Sequence, residues 1–227
     1  LSGVWYAAYG SNMHAARFRF YLTGGTPPGG LRACPGCRDT RPPRRTAPLL
    51  LPGGIHFAWE SVTWTGGIAF YDPTLPGVAA ARGYLVTGRQ FLDIATQEMH
   101  RPPPGIGPER LAEAVATGRA VLGDGRYETL VRAGTRAGFP VLTFTAPWSA
   151  ADVTPNPPAP RYLAMLAGGL HEAHRWNAAR IADYLTSRPG VAGHWSRARV
   201  ARIAARAVRA EESRFSRFAR FRHETAA

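Results

Sequence analysis

Residue types able to bind a small anion and move a proton meet the eye at two places in this chain of 227 residues. Near its start, Tyr9-Gly10-Ser11-Asn12 closes a short β-prone run, Val4 to Tyr9. Gly10 permits a sharp turn and a close backbone approach to a ligand. Successive N–H groups in such a turn form an anion-binding concavity. Ser11 and Asn12 add a hydroxyl and an amide, and a helix beginning near Met13 adds its positive end. The loop suits a carboxylate or a developing oxyanion, although the same residues are also ordinary turn chemistry. In mid-chain, Glu98 ends an apolar helical stretch with Phe91, Ile94, Ala95 and Met99. A carboxylate there costs desolvation energy unless it is paired, which is the setting of a tuned acid/base. The competing reading is a solvated helix-end carboxylate paired with His100 or Arg101.

Other chemistry-bearing groups read as structural. His171 and His174, with Glu172 between them, stand one helical turn apart, which is not the His-Glu-x-x-His spacing of a zinc helix. Position 175 is Arg175 and no acidic triad appears elsewhere, so a metal-dependent hydrolase or deacetylase lacks its ligands; solvated helix histidines are expected. His56 and Trp59 read as packing. Cys34-Pro35-Gly36-Cys37 cannot close a four-ligand zinc site alone, and no strand immediately precedes it to make a thioredoxin-like element, so it reads as loop. Towards the end, Arg197, Arg199, Arg202, Arg206, Arg209, Arg214, Arg217, Arg220 and Arg222 form a basic cluster, interleaved at the last part by Phe215, Phe218 and Phe221. Such a stretch suits RNA, an acidic partner or an anionic membrane surface. The preferred reading is a last helix with a solvated arginine face and a frayed tail.

Elements must position these groups. Val4 to Tyr9 is a strand, with a short helix over Met13 to Tyr21. Gly24 to Pro48 is rich in breakers and reads as a long surface loop. Ile55 to Glu60, Trp64 to Tyr71 and Arg82 to Thr87 read as strands, and Arg89 to His100 carries helical spacing. Pro108 to Ala116 is a short helix, and Thr129 to Ala133 with Phe139 to Thr145 form a hairpin across Gly134 to Gly138. After the proline-rich Pro155 to Pro160 come helices over Arg161 to Arg175, Asn177 to Arg188 and Trp195 to Arg209. Strands with a few helices, then helices only, make an α+β chain.

The formal charge is +13, and all 28 basic residues are arginine. They run from Arg17 to Arg222 beside abundant Ala, Gly and Pro, so the global basicity reads as codon bias and only local clusters as function. With no apolar run of 18 residues there is no helical membrane span. Leu1 to Tyr9 lacks a basic leader pattern, and a cytoplasmic protein is expected.

Three segments in order resemble one family. Tyr6-Ala7-Ala8-Tyr9-Gly10-Ser11-Asn12-Met13 is similar to the strand and loop of γ-glutamylcyclotransferase-like proteins, with Met13 in place of Leu. Leu85-Val86-Thr87 through Phe91-Leu92-Asp93-Ile94-Ala95-Thr96-Gln97-Glu98 resembles the strand and helix bearing that family's catalytic glutamate. Pro157-Pro158-Ala159-Pro160-Arg161-Tyr162-Leu163 resembles its Pro-Ser-Pro-x-Tyr element, with Ala159 where Ser is common. The resemblance spans Val4 to Leu185. It implies a mixed β-barrel or sheet with peripheral helices over residues 1–190, and it does not cover the basic helix and tail read over residues 191–227. It implies Glu98 as acid/base, Tyr9, Gly10, Ser11, Asn12 and Met13 as substrate-holding residues, and Tyr6 and Tyr162 as pocket walls. The implied reaction is attack of a γ-glutamyl compound's own α-amine on its γ-carbonyl, releasing 5-oxoproline and an amine without metal or organic cofactor. The alternative is an inactive module of the same fold that binds a polyanion through its arginine-rich end.

Overall fold

The computed structural model describes residues 1–27, 32–101 and 105–224, with residues 215–224 as backbone only. The side chains of Phe215 to Arg222 and part of the loop after His100 therefore lie outside the described residues.

The strand Val4–Ala8 (β1) organises the molecule, with every residue buried. Because side chains alternate across a strand, Trp5, Ala7 and Tyr9 enter one core while Val4, Tyr6 and Ala8 enter another. Around it run Arg45–Pro52 (β2), Val78–Val86 (β5), Arg119–Val121 (β6), Thr129–Arg136 (β7) and Phe139–Thr145 (β8), in the order β2-β5-β1-β8-β7-β6. The β1–β8 pair is parallel and the others antiparallel. Gly54–Ala58 (β3) and Ile68–Asp72 (β4) form a separate antiparallel pair. The large sheet is thus open, with β2 and β6 at its edges, and not a closed barrel.

One face is covered by Ala15–Thr23 (α1), Gly88–Glu98 (α2) and Pro108–Thr117 (α3). Their Phe18, Phe91, Ile94 and Leu111 pack against Tyr6 and Tyr84; each fully buried Phe or Ile contributes about 1.5–3 kcal/mol. The other face carries Pro160–His174 (α4), Ala178–Thr186 (α5) and Arg197–Glu224 (α6), joined to the core by Leu163, Leu166, Ile181, Val200 and Ala204. This is an α+β architecture with a mixed sheet. No helix among the described residues is long and apolar enough to cross a membrane.

Several boundaries depart from the sequence expectation. The loop expected to reach Pro48 ends earlier, because β2 begins at Arg45 and pairs with β5. Its two prolines are tolerated because β2 is an edge strand, where a missing N–H breaks no second ladder. The hairpin turn is not Gly134 to Gly138: β7 continues to Arg136 through an irregularity between Arg132 and Gly134. The chain reverses at Ala137 and Gly138, both at positive φ. The expected single helix after β1 is a 3-10 turn, Ser11–Met13, followed by α1. α6 continues beyond Arg209, so no frayed tail starts there.

Candidate active site

Glu98 is the last residue of α2, a helix started by a capping box in which the Thr87 side chain accepts from the Gln90 N–H and Gln90 reaches back. Phe91, Ile94 and Ala95 anchor its inner face. The Gln97 side-chain amide donates to the Tyr21 carbonyl and its oxygen accepts from the Gly36 N–H, tying α2 to α1 and to the loop after it. This anchoring fixes the end of α2 opposite the turn that follows β1. There Asn12 Nδ2 donates to Glu98 Oε1 at 2.9 Å. Neither alternative partner is used: Arg101 pairs with Glu128, and His100 meets Arg126.

The turn and the carboxylate border one cavity of about 680 Å³. Its walls include Tyr6, Tyr9, Gly10, Ser11, Asn12, Glu98 and Tyr162. Met13 is not among them: its side chain is buried in the core, and its N–H is bonded to the Gly10 carbonyl at 3.0 Å. The amides ahead of it, on Ser11 and Asn12, open the 3-10 turn and have no acceptor within it. Gly10 has a negative φ, so it is not needed for a left-handed turn. A Cβ there would instead stand 3.4 Å from the Tyr162 hydroxyl, on the cavity wall.

The unpartnered polar atoms at the cavity are informative. Asn12 is buried, and its Oδ1 has no hydrogen-bond partner. Arg17 Nε donates to Ser11 Oγ at 3.2 Å, its guanidinium lies 5.3 Å from the centre of the Trp64 ring, and one terminal nitrogen is buried without a partner. An unpartnered buried donor and acceptor are costly in isolation, and a ligand carrying both kinds of group would relieve them. Burial, then the Glu98 charge, pushes the Tyr6 and Tyr21 phenols well above the ordinary tyrosine value, and burial does the same for Tyr9, Tyr127 and Tyr162. These phenols remain protonated donors. The Tyr162 oxygen already accepts from the Ala69 N–H, which leaves its proton free to point elsewhere.

Arg17, Tyr21, Trp64 and Tyr127 line the cavity without having been marked by the sequence. A usable signal existed for two of them: Arg17 and Tyr21 are four apart on α1, directly after the turn, and share a helix face. Trp64 and Tyr127 carry no local signal.

Cys34 and Cys37 are not disulfide-bonded. Cys34 lies on the cavity wall, whereas Cys37 is buried under α2 with its thiol pushed up to about 12, first by burial and then by Asp93 and Asp39. The two helix histidines are not solvated as expected: His171 and His174 bond the carbonyls of Trp176 and Ala81. Glu172 is drawn inward, accepting from Arg82 at 2.8 Å and from the Ala15 N–H at 3.1 Å. It lies near His14, whose Nε2 meets Glu211 of α6 at 3.0 Å. Among the described residues, His14, Glu172 and Glu211 are the group with metal-compatible spacing. Both carboxylates already face an arginine, Arg82 and Arg214, and none of the three lines the cavity. The arrangement fits an ion-pair cluster that fastens α4 and α6 behind the turn.

No known family profile matches the chain. It is 30% identical over 198 residues to histone deacetylase 5 of Arabidopsis thaliana, an alignment covering 80% of this chain and 30% of that protein. The chain thus spans less than a third of the relative whose name that is. Among solved structures it resembles a γ-glutamyl cyclotransferase at 17% identity and TM-score 0.42, covering 89% of this chain and 98% of the other. It also resembles a human protein described as uncharacterised, at 15% identity and TM-score 0.41, covering 77% and 82% respectively. Both scores are low, and neither comparison carries the functional reading below.

Proposed function

We propose that the chain cleaves γ-glutamyl amides by intramolecular acyl transfer, with Glu98 moving the proton. The observation that supports this most is the 2.9 Å contact between Asn12 and Glu98 across the cavity that also borders Gly10 and Ser11. In this reading the α-carboxylate of the γ-glutamyl unit lies against the Ser11 and Asn12 amides and the unpartnered Arg17 nitrogen, a charge-assisted arrangement. The α-ammonium then faces Glu98 and the unpartnered Asn12 Oδ1. Glu98 takes one ammonium proton, and the freed amine attacks the γ-carbonyl carbon. A C–N bond closes the five-membered ring, Glu98 gives its proton to the departing nitrogen as the bond to it breaks, and the ring nitrogen's second proton follows by the same carboxylate, so that the amine leaves as ammonium. Because nucleophile and carbonyl belong to one molecule, orientation supplies about 7–11 kcal/mol of the barrier. The Tyr21 and Tyr162 phenols, kept protonated by burial, supply donors for the oxygen of the tetrahedral intermediate. The γ-glutamyl carbon skeleton needs no further reactant.

The test compares γ-glutamyl amides with the same compounds N-acetylated at the α-amine. The free-amine compounds are expected to release 5-oxoproline, and the blocked ones to be inert. Cleavage of the blocked compounds to N-acetylglutamate at a comparable rate would show hydrolysis by water and remove the cyclising mechanism.

A further inference from the structure

The cavity wall carries a charge imbalance that proton transfer does not use. Arg17, Arg32, Arg38, Arg101 and Arg126 line it, against the carboxylates of Asp93 and Glu98. Arg38 is neutralised by Asp93 at 2.7 Å, and Arg101 by Glu128 at 2.9 Å. Arg17 is held against Ser11 and Trp64, at the end where the γ-glutamyl carboxylate is placed. Arg32 and Arg126 remain.

Both stand around His100. Arg126 donates to His100 Nε2 at 3.1 Å, an acceptor without charge. Burial first, then the Arg126 and Arg32 charges, hold the imidazole below its ordinary value, against the pull of Glu98. The histidine therefore stays neutral and does not add to the local charge. Among the described residues, neither Arg32 nor Arg126 has a carboxylate at ion-pair distance. Two cations on one side of a concave wall repel each other, and the field they focus there attracts an anion. Guanidinium groups bind carboxylate or phosphate oxygens in pairs.

Resting on the cyclotransferase reading, we infer that Arg32 and Arg126 hold the departing amine through two negative charges. The preferred substrates are then γ-glutamyl amides of amines bearing two carboxylates or one phosphate. Amides of uncharged alkylamines leave both guanidinium groups unmatched and are poorer substrates.

The test measures 5-oxoproline release from γ-glutamyl-ethylamine, γ-glutamyl-aspartate and γ-glutamyl-phosphoethanolamine, with wild type, Arg32→Gln, Arg126→Gln and the double variant. At low salt, a dianionic substrate is expected to exceed the ethylamide in kcat/KM by about tenfold or more per arginine. Each substitution is expected to remove its share through KM and leave ethylamide turnover unchanged. Added salt should erode the preference. The aspartate and phosphate arms distinguish the two anion chemistries. Equal turnover of charged and uncharged substrates, or a preference untouched in the double variant, overturns the inference while leaving the cyclotransferase reading in place. Should no compound release 5-oxoproline, that reading fails, and calorimetric titration with free aspartate and O-phosphoethanolamine decides the arginine site. Binding lost in the double variant supports it; no binding by wild type, or equal binding by both, overturns it.

Discussion

Replacing Asn12 by Ala separates function from stability in a way the geometry makes specific. Asn12 is 3% exposed. Its Nδ2 is the donor to Glu98 Oε1 at 2.9 Å, and it approaches the Tyr6 hydroxyl at 3.4 Å. A hydrogen bond to a charged group is worth about 1.5–3 kcal/mol, so its loss from the positioned base corresponds to a fall in kcat of about 10- to 100-fold. The stability ledger runs the other way. Asn12 Oδ1 is buried without a partner, an arrangement that costs about 1–3 kcal/mol and disappears with the side chain. The backbone stays anchored because the Tyr84 hydroxyl donates to the Asn12 carbonyl at 2.8 Å. The two effects on folding oppose, and Asn12→Ala is expected to lie within about 1 kcal/mol of wild type. Steady-state 5-oxoproline release and urea unfolding on the same preparation test both halves. A variant with wild-type kcat, or one that loses activity only because it unfolds, refutes the reasoning.

Glu172→Gln leaves the Arg82 guanidinium, 8% exposed, without its carboxylate; breaking a buried pair in this way costs about 3–5 kcal/mol, read as a lower urea midpoint with unchanged slope. Cys37, buried and pushed up to about 12, is expected to resist maleimide at pH near 8 in the native protein and to react once denatured; equal rates in both states would contradict its burial. His56 and His174 are held below the ordinary histidine value chiefly by burial. The unfolded chain then binds more protons than the folded one as pH falls through about 6.5. Stability is therefore expected to drop between pH 7 and pH 5, and less steeply in His174→Gln; a flat profile contradicts this.

How far the sequence specified the structure depended on whether the deciding interactions were local. The strand, the glycine turn and the amphipathic α2 were readable because periodicity and the Thr87–Gln90 cap act within a few residues. The α+β arrangement followed from the order of strands and helices. β2 was hidden because Pro48 and Pro52 argue against a strand unless it lies at an edge, a fact of the assembled sheet alone. The extension of β7 past Gly134 was hidden likewise, since the ladder irregularity falls at Ala133 and Gly134 still pairs with Val141. At the cavity, Gly10, Ser11, Asn12 and Glu98 were marked by local pattern, but Trp64 and Tyr127 arrive from distant loops. The contact of His14 with Glu211 joins residues 197 apart, and no spacing rule reaches that far. Arg17 does not stand out in the sequence, because all 28 basic residues are arginine. Only its unpartnered nitrogen beside Ser11 sets it apart.

Turnover by Glu98→Gln probes the central claim most directly. The substitution keeps size and leaves an oxygen able to accept from Asn12, while removing the group that carries the proton. With folding verified by circular dichroism and thermal unfolding, 5-oxoproline release is expected to fall by about 10²- to 10⁴-fold with KM little changed. A variant that turns over γ-glutamyl amides at the wild-type rate would contradict the account.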